Sequence, residues 1–142
     1  MIFSIIWILI YIIGSFYVDT MKDCTLYKTV DIIGKRWTLC ILLELYKGQN
    51  EEKQFNELKN MLQNITPKTL TTRLRELEQQ GLVRKKVDDS SIPIKCKYTL
   101  TDSGEDFIEI IQQIKKWGLK WKFDNKECEK SQCKFCGLEN IE

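Results

Sequence analysis

Between Asn64 and Lys86 the sequence reads NITPKTLTTRLRELEQQGLVRKK, and its local signals leave little choice of structure. Thr66 can cap a helix whose first position is Pro67, where the missing N–H does no harm. Leu70, Leu74 and Leu77 recur at the spacing of one buried stripe. Gly81 suits the left-handed turn that ends a helix. The period then changes at once. LVRKKVDD and IKCKYTLT are short, β-branched, partly alternating runs separated by Ser90, Ser91 and Pro93, the pattern of a two-stranded hairpin. A helix that stops and feeds directly into a hairpin constrains everything around it.

Upstream, Cys24 to Ile33 is predicted as a first helix, with Asp23 at its N-cap and Gly34 at its end. The run KRWTLCILLELYKG is apolar nearly all round between Trp37 and Tyr46, as the central helix of a small bundle must be, so Cys40 is expected in the core. Gly48 stops it. Phe55, Leu58 and Leu62 mark a short third helix. After the hairpin, Thr101 or Ser103 caps a last long helix with Phe107, Ile110, Ile111, Ile114, Trp117 and Trp121 on a broad apolar face. One small core does not need all of Ile108, Ile111, Trp117 and Trp121, so some are expected to meet a partner. Residues after Phe123 are charged, carry cysteines and are expected to be loosely ordered. The order is helix, helix, helix, helix, hairpin, helix. The fold class is therefore mainly α with a small β hairpin, a winged helix-turn-helix of α+β type with an extra apolar N-terminal helix.

The chain has 142 residues, 43% of them hydrophobic, enough for one core and too few for two. Three segments are expected: residues 1–20, apolar; residues 21–123, the winged-helix domain; and residues 124–142, a cysteine-bearing tail. The absence of histidine removes Ser-His and Cys-His nucleophile pairs, His general bases and His-ligated metals. There is no glycine-rich phosphate loop either, and no enzyme is expected. Net charge is only +2, so a polyanionic partner must be argued from local patches. Six cysteines are spread without framework spacing and without a secretory signal, which points to a reducing, cytoplasmic compartment.

The opening run MIFSIIWILIYIIGSFYV is uncharged. As a helix, residues 2–18 would rise about 25 Å, short of the roughly 30 Å hydrocarbon core. Three readings stand: an over-extended reading frame with translation starting at Met21, a membrane anchor that keeps the remainder in the cytoplasm, and an extra buried helix.

The segment from Asn64 to Lys86 carries six Lys or Arg against two Glu. With Leu70 at zero and about 100° per residue, Lys68, Thr72 and Arg75 fall opposite Leu74 and Leu77, with Thr69 and Thr71 flanking that outer face. The acids Glu76 and Glu78 lie toward the C-terminal end, so the N-terminal half presents hydroxyls and cations alone. Such a face suits a DNA major groove, where Arg pairs with guanine and Thr meets phosphates, bases or the thymine methyl. A solvated surface helix with incidental charge is the plainer reading. The short helix and tight turn before it, and the hairpin after it, favour the first. On that hairpin Arg84, Lys85, Lys86, Lys95 and Lys97 would reach phosphates, with contact expected at the base of the wing because Asp88 and Asp89 oppose it at the tip.

From about Cys24 to Trp121 the chain resembles the HxlR-type winged helix-turn-helix transcriptional regulators. The resemblance rests on DIIGKRWTLCILLEL, KQFNELKNML, ITPKTLTTRLRELEQQGLV and IPIKCKYTLTDSG in that order. It implies a homodimer bound to double-stranded operator DNA, with the fourth helix in the major groove and the first and last helices forming the dimer interface. It also implies that Lys68, Thr69, Thr72, Arg73 and Arg75 face the groove or its phosphates. Arg73 lies nearer the apolar stripe, and a structural salt bridge to a nearby Glu is its competing reading. The sequence departs from the family at Lys35, where a second glycine is usual, and in a wing without the common aromatic.

Cys128, Cys133 and Cys136 stand as C-x4-C-x2-C in KECEKSQCKFCG, a spacing that suits part of a tetrahedral Zn site. A solvated tail with incidental cysteines is the alternative. Cys24 is the candidate fourth ligand, since the family arrangement brings the first helix near the last. Several family members also sense oxidants or electrophiles through a cysteine at this position, which makes Cys24 a candidate redox site with Lys22 nearby to favour its thiolate.

Overall fold

A computed structural model describes residues 23–90 and 92–137. The chain forms two compact units, Met1–Lys35 and Arg36–Glu142. In the first, helix α1 (Thr25–Ile33) begins after Cys24, whose extended backbone forms the N-cap. Asp23, expected as the cap, lies one position too early and instead pairs with Lys28 at 3.1 Å. No side chain of α1 is buried, and Leu26 and Val30 lie exposed one turn apart. The apolar segment 1–20, Met21 and Lys22 lie outside the described residues. Among the described residues no helix is long and apolar enough to cross a membrane.

The second unit contains α2 (Thr38–Tyr46), β1 (Lys53–Gln54), α3 (Phe55–Met61), α4 (Pro67–Gln79), β2 (Val83–Asp88), β3 (Lys95–Leu100), α5 (Asp102–Trp121) and α6 (Lys126–Lys130). The winged helix-turn-helix order is as expected, with β1 and α6 added. Helix α2 packs on α3, α4, α5 and β3, and its Ile41 and Leu42 are completely buried. Cys40 is exposed, contrary to its expected core position. At about 100° per residue Thr38, Ile41, Leu42 and Leu45 cluster on one side of α2, and Cys40 points away from them. An apolar sequence here hides an amphipathic helix.

Strand β1 is too short to show a period. It pairs with β3 (Lys53 with Tyr98, Gln54 with Lys97), and β3 pairs with β2, giving an antiparallel sheet in the order β1-β3-β2. Lys53 is buried. Its ammonium donates to the carbonyls of Leu45, Lys47 and Asn50 at 3.1, 2.6 and 3.1 Å, closing the turn after α2. Removal from water pushes its pKa below the usual lysine value, an effect that Glu44 and Glu57 oppose.

Helix α5 starts where the hairpin ends because Thr101 caps it, accepting from the Gly104 N–H at 3.2 Å. The Thr101 N–H donates to the Leu82 carbonyl at 3.1 Å. A Cβ at Gly104 would lie 2.2 Å from that carbonyl oxygen, so only glycine lets α5 approach the α4–β2 turn so closely. Gly81, at φ +72°, makes that turn as its sequence position suggests. The described part of the tail, residues 124–137, expected to be loose, is pinned in place. Asn125 caps α6, Lys115 donates to the Ser131 carbonyl at 2.9 Å, and the Gly48 N–H donates to the Lys134 carbonyl at 2.7 Å.

Candidate nucleic-acid interface

Helices α3 and α4 form the helix-turn-helix. Gln54 and Glu57 make a reciprocal capping box at the start of α3. Thr66 caps α4 by accepting from the Thr69 N–H at 3.1 Å, with Pro67 at the first turn. Leu70, Leu74 and Leu77 are buried, which fixes the rotation of α4 and sends the opposite face to solvent. Lys68, Thr71, Thr72 and Arg75 are exposed, and Thr69 is half-buried.

The hydroxyls are already engaged. Thr71 donates to the Pro67 carbonyl at 2.8 Å and Thr72 to the Lys68 carbonyl at 2.9 Å. The Thr69 hydroxyl sits 2.8 Å from that of Thr66. Thr71 and Thr72 therefore offer lone pairs and methyl groups outward rather than protons. Among the described residues neither Lys68 nor Arg75 is in an ion pair, so both charges are available to an external anion.

Arg73 differs from them. Its Nε donates to the Arg36 carbonyl at 3.2 Å and its Nη1 pairs with Glu76 within the helix. The guanidinium is turned inward, toward the turn before α2, in agreement with the structural salt-bridge reading. That turn is itself unusual, since Trp37 adopts a left-handed backbone with φ 78° and the Arg36 guanidinium stacks 5.2 Å from its ring.

The five wing cations are not equivalent. The register places Arg84, Lys86, Lys95 and Lys97 on one face of the sheet and Lys85 on the other, beside Tyr98. Glu52, in the loop before β1, reaches Lys97 at 3.2 Å and Lys86 at 3.4 Å. These two partners, Lys97 first, hold the Glu52 carboxyl below the usual carboxylate range. Lys95 lies opposite Asp88, whose own pKa is lowered by the hydroxyl and N–H of Ser90. Arg84 and Lys85 are exposed and outside every ion pair among the described residues. The wing is thus anionic at its tip and cationic toward its base. Glu52 was missed in the sequence because nothing local marks it; only the β1–β3 pairing carries it to the wing.

Cys128, Cys133 and Cys136 are each half-exposed, and among the described residues no group of three or more Cys, Asp or Glu is placed to hold a metal. Cys24 is half-exposed at the start of α1. Cys96, on β3, stands opposite Val87.

Residues 32–126 match the model of the HxlR-like helix-turn-helix family. The chain belongs to the HxlR-like family. It is 36% identical over 104 residues to the HTH-type transcriptional regulator YdeP of Bacillus subtilis, covering 73% of this chain and 78% of that protein. Among solved structures it is similar to the reduced form of the transcriptional regulator YodB from B. subtilis, with TM-score 0.62, 30% identity and coverage of 72% of this chain and 98% of that one. It is also similar to the redox regulator HypR in its reduced form, with TM-score 0.61 and 33% identity over 68% of this chain and 92% of that one.

Proposed function

We propose that this chain, a DNA-binding transcriptional regulator of the HxlR-like family, reads operator DNA as a homodimer, with the N-terminal half of α4 in the major groove. The observation that carries this reading is the division of α4: three buried leucines on one side, and on the other Lys68 and Arg75, in no ion pair among the described residues, beside the exposed Thr71 and Thr72. Arg75 suits the O6/N7 edge of guanine, and Thr71 and Thr72 accept from base amino groups or meet the thymine methyl. Lys68, in the first turn, joins the positive end of the helix dipole in holding a phosphate. Arg84, toward the base of the wing, adds a phosphate contact. Arg73 positions α4 without touching DNA.

The dimer contact is assigned to the exposed apolar faces of α5 and α1. Ile110, Ile114, Trp117 and Trp121 recur on one side of α5 and are 48, 46, 56 and 64% exposed, an apolar stripe that one chain alone leaves in water. A two-fold dimer presents two α4 helices to half-sites about 34–36 Å apart. Nuclease protection of the DNA flanking the protein's own gene tests this. Two protected half-sites one helical turn apart support it, and uniform, sequence-independent protection contradicts it.

A redox response through Cys24 is favoured by its half-exposed place at a helix start and by the likeness to regulators solved in reduced and oxidised forms. Cys24→Ser is expected to abolish oxidant-induced changes in DNA binding and leave binding under reducing conditions intact.

A further inference from the structure

A cavity of about 730 Å³ lies between α5, the end of α2 and the tail. That is within the range of small-molecule sites, roughly 300–1,000 Å³. Counting about 100° per residue from Ile110, the lining residues Gln112, Lys115, Lys116 and Leu119 fall on the side of α5 opposite Ile110, Ile114, Trp117 and Trp121, while Lys120 lies at the border, 4.9 Å from the centre of the Trp121 ring. A dimer formed through the apolar face therefore leaves the cavity open.

Its chemistry is specific. Lys115, Lys116, Lys120 and Lys134 line it, and Asp124 and Glu129 are the acids among its walls. Among the described residues none of these six makes an ion pair. Lys115 gives one proton to the Ser131 carbonyl, leaving two. The Lys134 ammonium sits 5.5 Å from the centre of the Tyr46 ring, and Lys116 has no side-chain hydrogen bond among the described residues. Tyr46, Leu119 and Phe123 provide apolar wall. Four cations against two carboxylates leave a net positive lining that suits an anion, and the aromatic walls suit a flat apolar body.

We propose that this cavity binds a small planar organic monoanion of the aryl carboxylate type. The ring lies between Tyr46 and Phe123, and the carboxylate takes hydrogen bonds from the lysines of α5 and the tail. The outer wall, Glu129 to Lys134, lies beyond the family match at residues 32–126. The bond from the Gly48 N–H to the Lys134 carbonyl holds that wall shut against the α2–β1 turn.

Calorimetric titration of the full chain with 2-naphthoate tests the proposal, with 2-naphthamide and inorganic phosphate as comparisons. The expected result is saturable binding of one naphthoate per chain, at least tenfold tighter than either comparison. Lys116→Gln and Lys134→Gln, both folded by circular dichroism, are each expected to weaken it at least fivefold, and Lys68→Gln on α4 to leave it unchanged. Absence of saturable binding, equal binding of the amide or of phosphate, or sensitivity to Lys68→Gln in place of the two cavity lysines would each overturn it.

Discussion

The Nε of Arg73 donates to the backbone carbonyl of Arg36 at 3.2 Å, so a charge on α4 is turned inward to hold the turn that begins α2. Nη1 of the same guanidinium pairs with Glu76, and the Arg73 side chain is only 21% exposed. Arg73→Ala should lower unfolding free energy by about 1.5–3 kcal/mol, as expected for a lost hydrogen bond from a charged group. The salt dependence of DNA binding should keep its slope. Denaturant titration and binding at several salt concentrations check both; a shallower slope at unchanged stability would place Arg73 on the DNA after all.

Glu52 predicts an effect of the opposite sign. It shares one carboxylate between Lys86 and Lys97, so Glu52→Gln should release both cations from their ion pairs and tighten DNA binding at low salt about two- to tenfold. The log–log salt slope should steepen by up to about 0.9 for each added phosphate contact. The pH window follows from the lowered folded pKa: the bridge is intact above the ordinary carboxylate value of 4.5 and is lost as pH falls through the lower folded value. The variant and the parent should therefore differ by a constant factor from pH 6 to 8. A factor that shrinks across that range would assign the effect to another group.

Much of the fold was legible because its signals are local. Thr66, Pro67, the leucine stripe and Gly81 are each decided within one or two turns of α4, and the structure places all of them as read. Apolar content does not report the burial of Cys40, because α2 turns one side away from the core. Strand β1, the Glu52 bridge and the pinned tail depend on residues tens of positions apart, such as Glu52 with Lys97 and Gly48 with Lys134, and leave no periodic trace. The same holds for the interface. The outer face of α4 could be read from its wheel, whereas the split of the wing cations needed the strand register.

The apolar stripe on α5 separates assembly from folding. Trp117 and Trp121 are exposed in the single chain, so Trp117→Glu should change protomer stability by no more than about 0.5 kcal/mol. It should nevertheless convert the dimer to a monomer in sedimentation at micromolar concentration and weaken operator binding at least about tenfold, because the second half-site is lost. A variant that remains dimeric would move the contact away from this face.

The most direct measurement is the salt dependence of binding to the protected operator duplex for the parent, Lys68→Ala and Arg75→Ala. Direct contact by α4 predicts a steep parent slope that shallows by about 0.9 per lost phosphate contact for Lys68→Ala. Arg75→Ala should cost about 1–3 kcal/mol and relax preference at one base pair of each half-site. Unchanged slope and unchanged base preference in both variants would contradict the assignment of α4 as the reading surface.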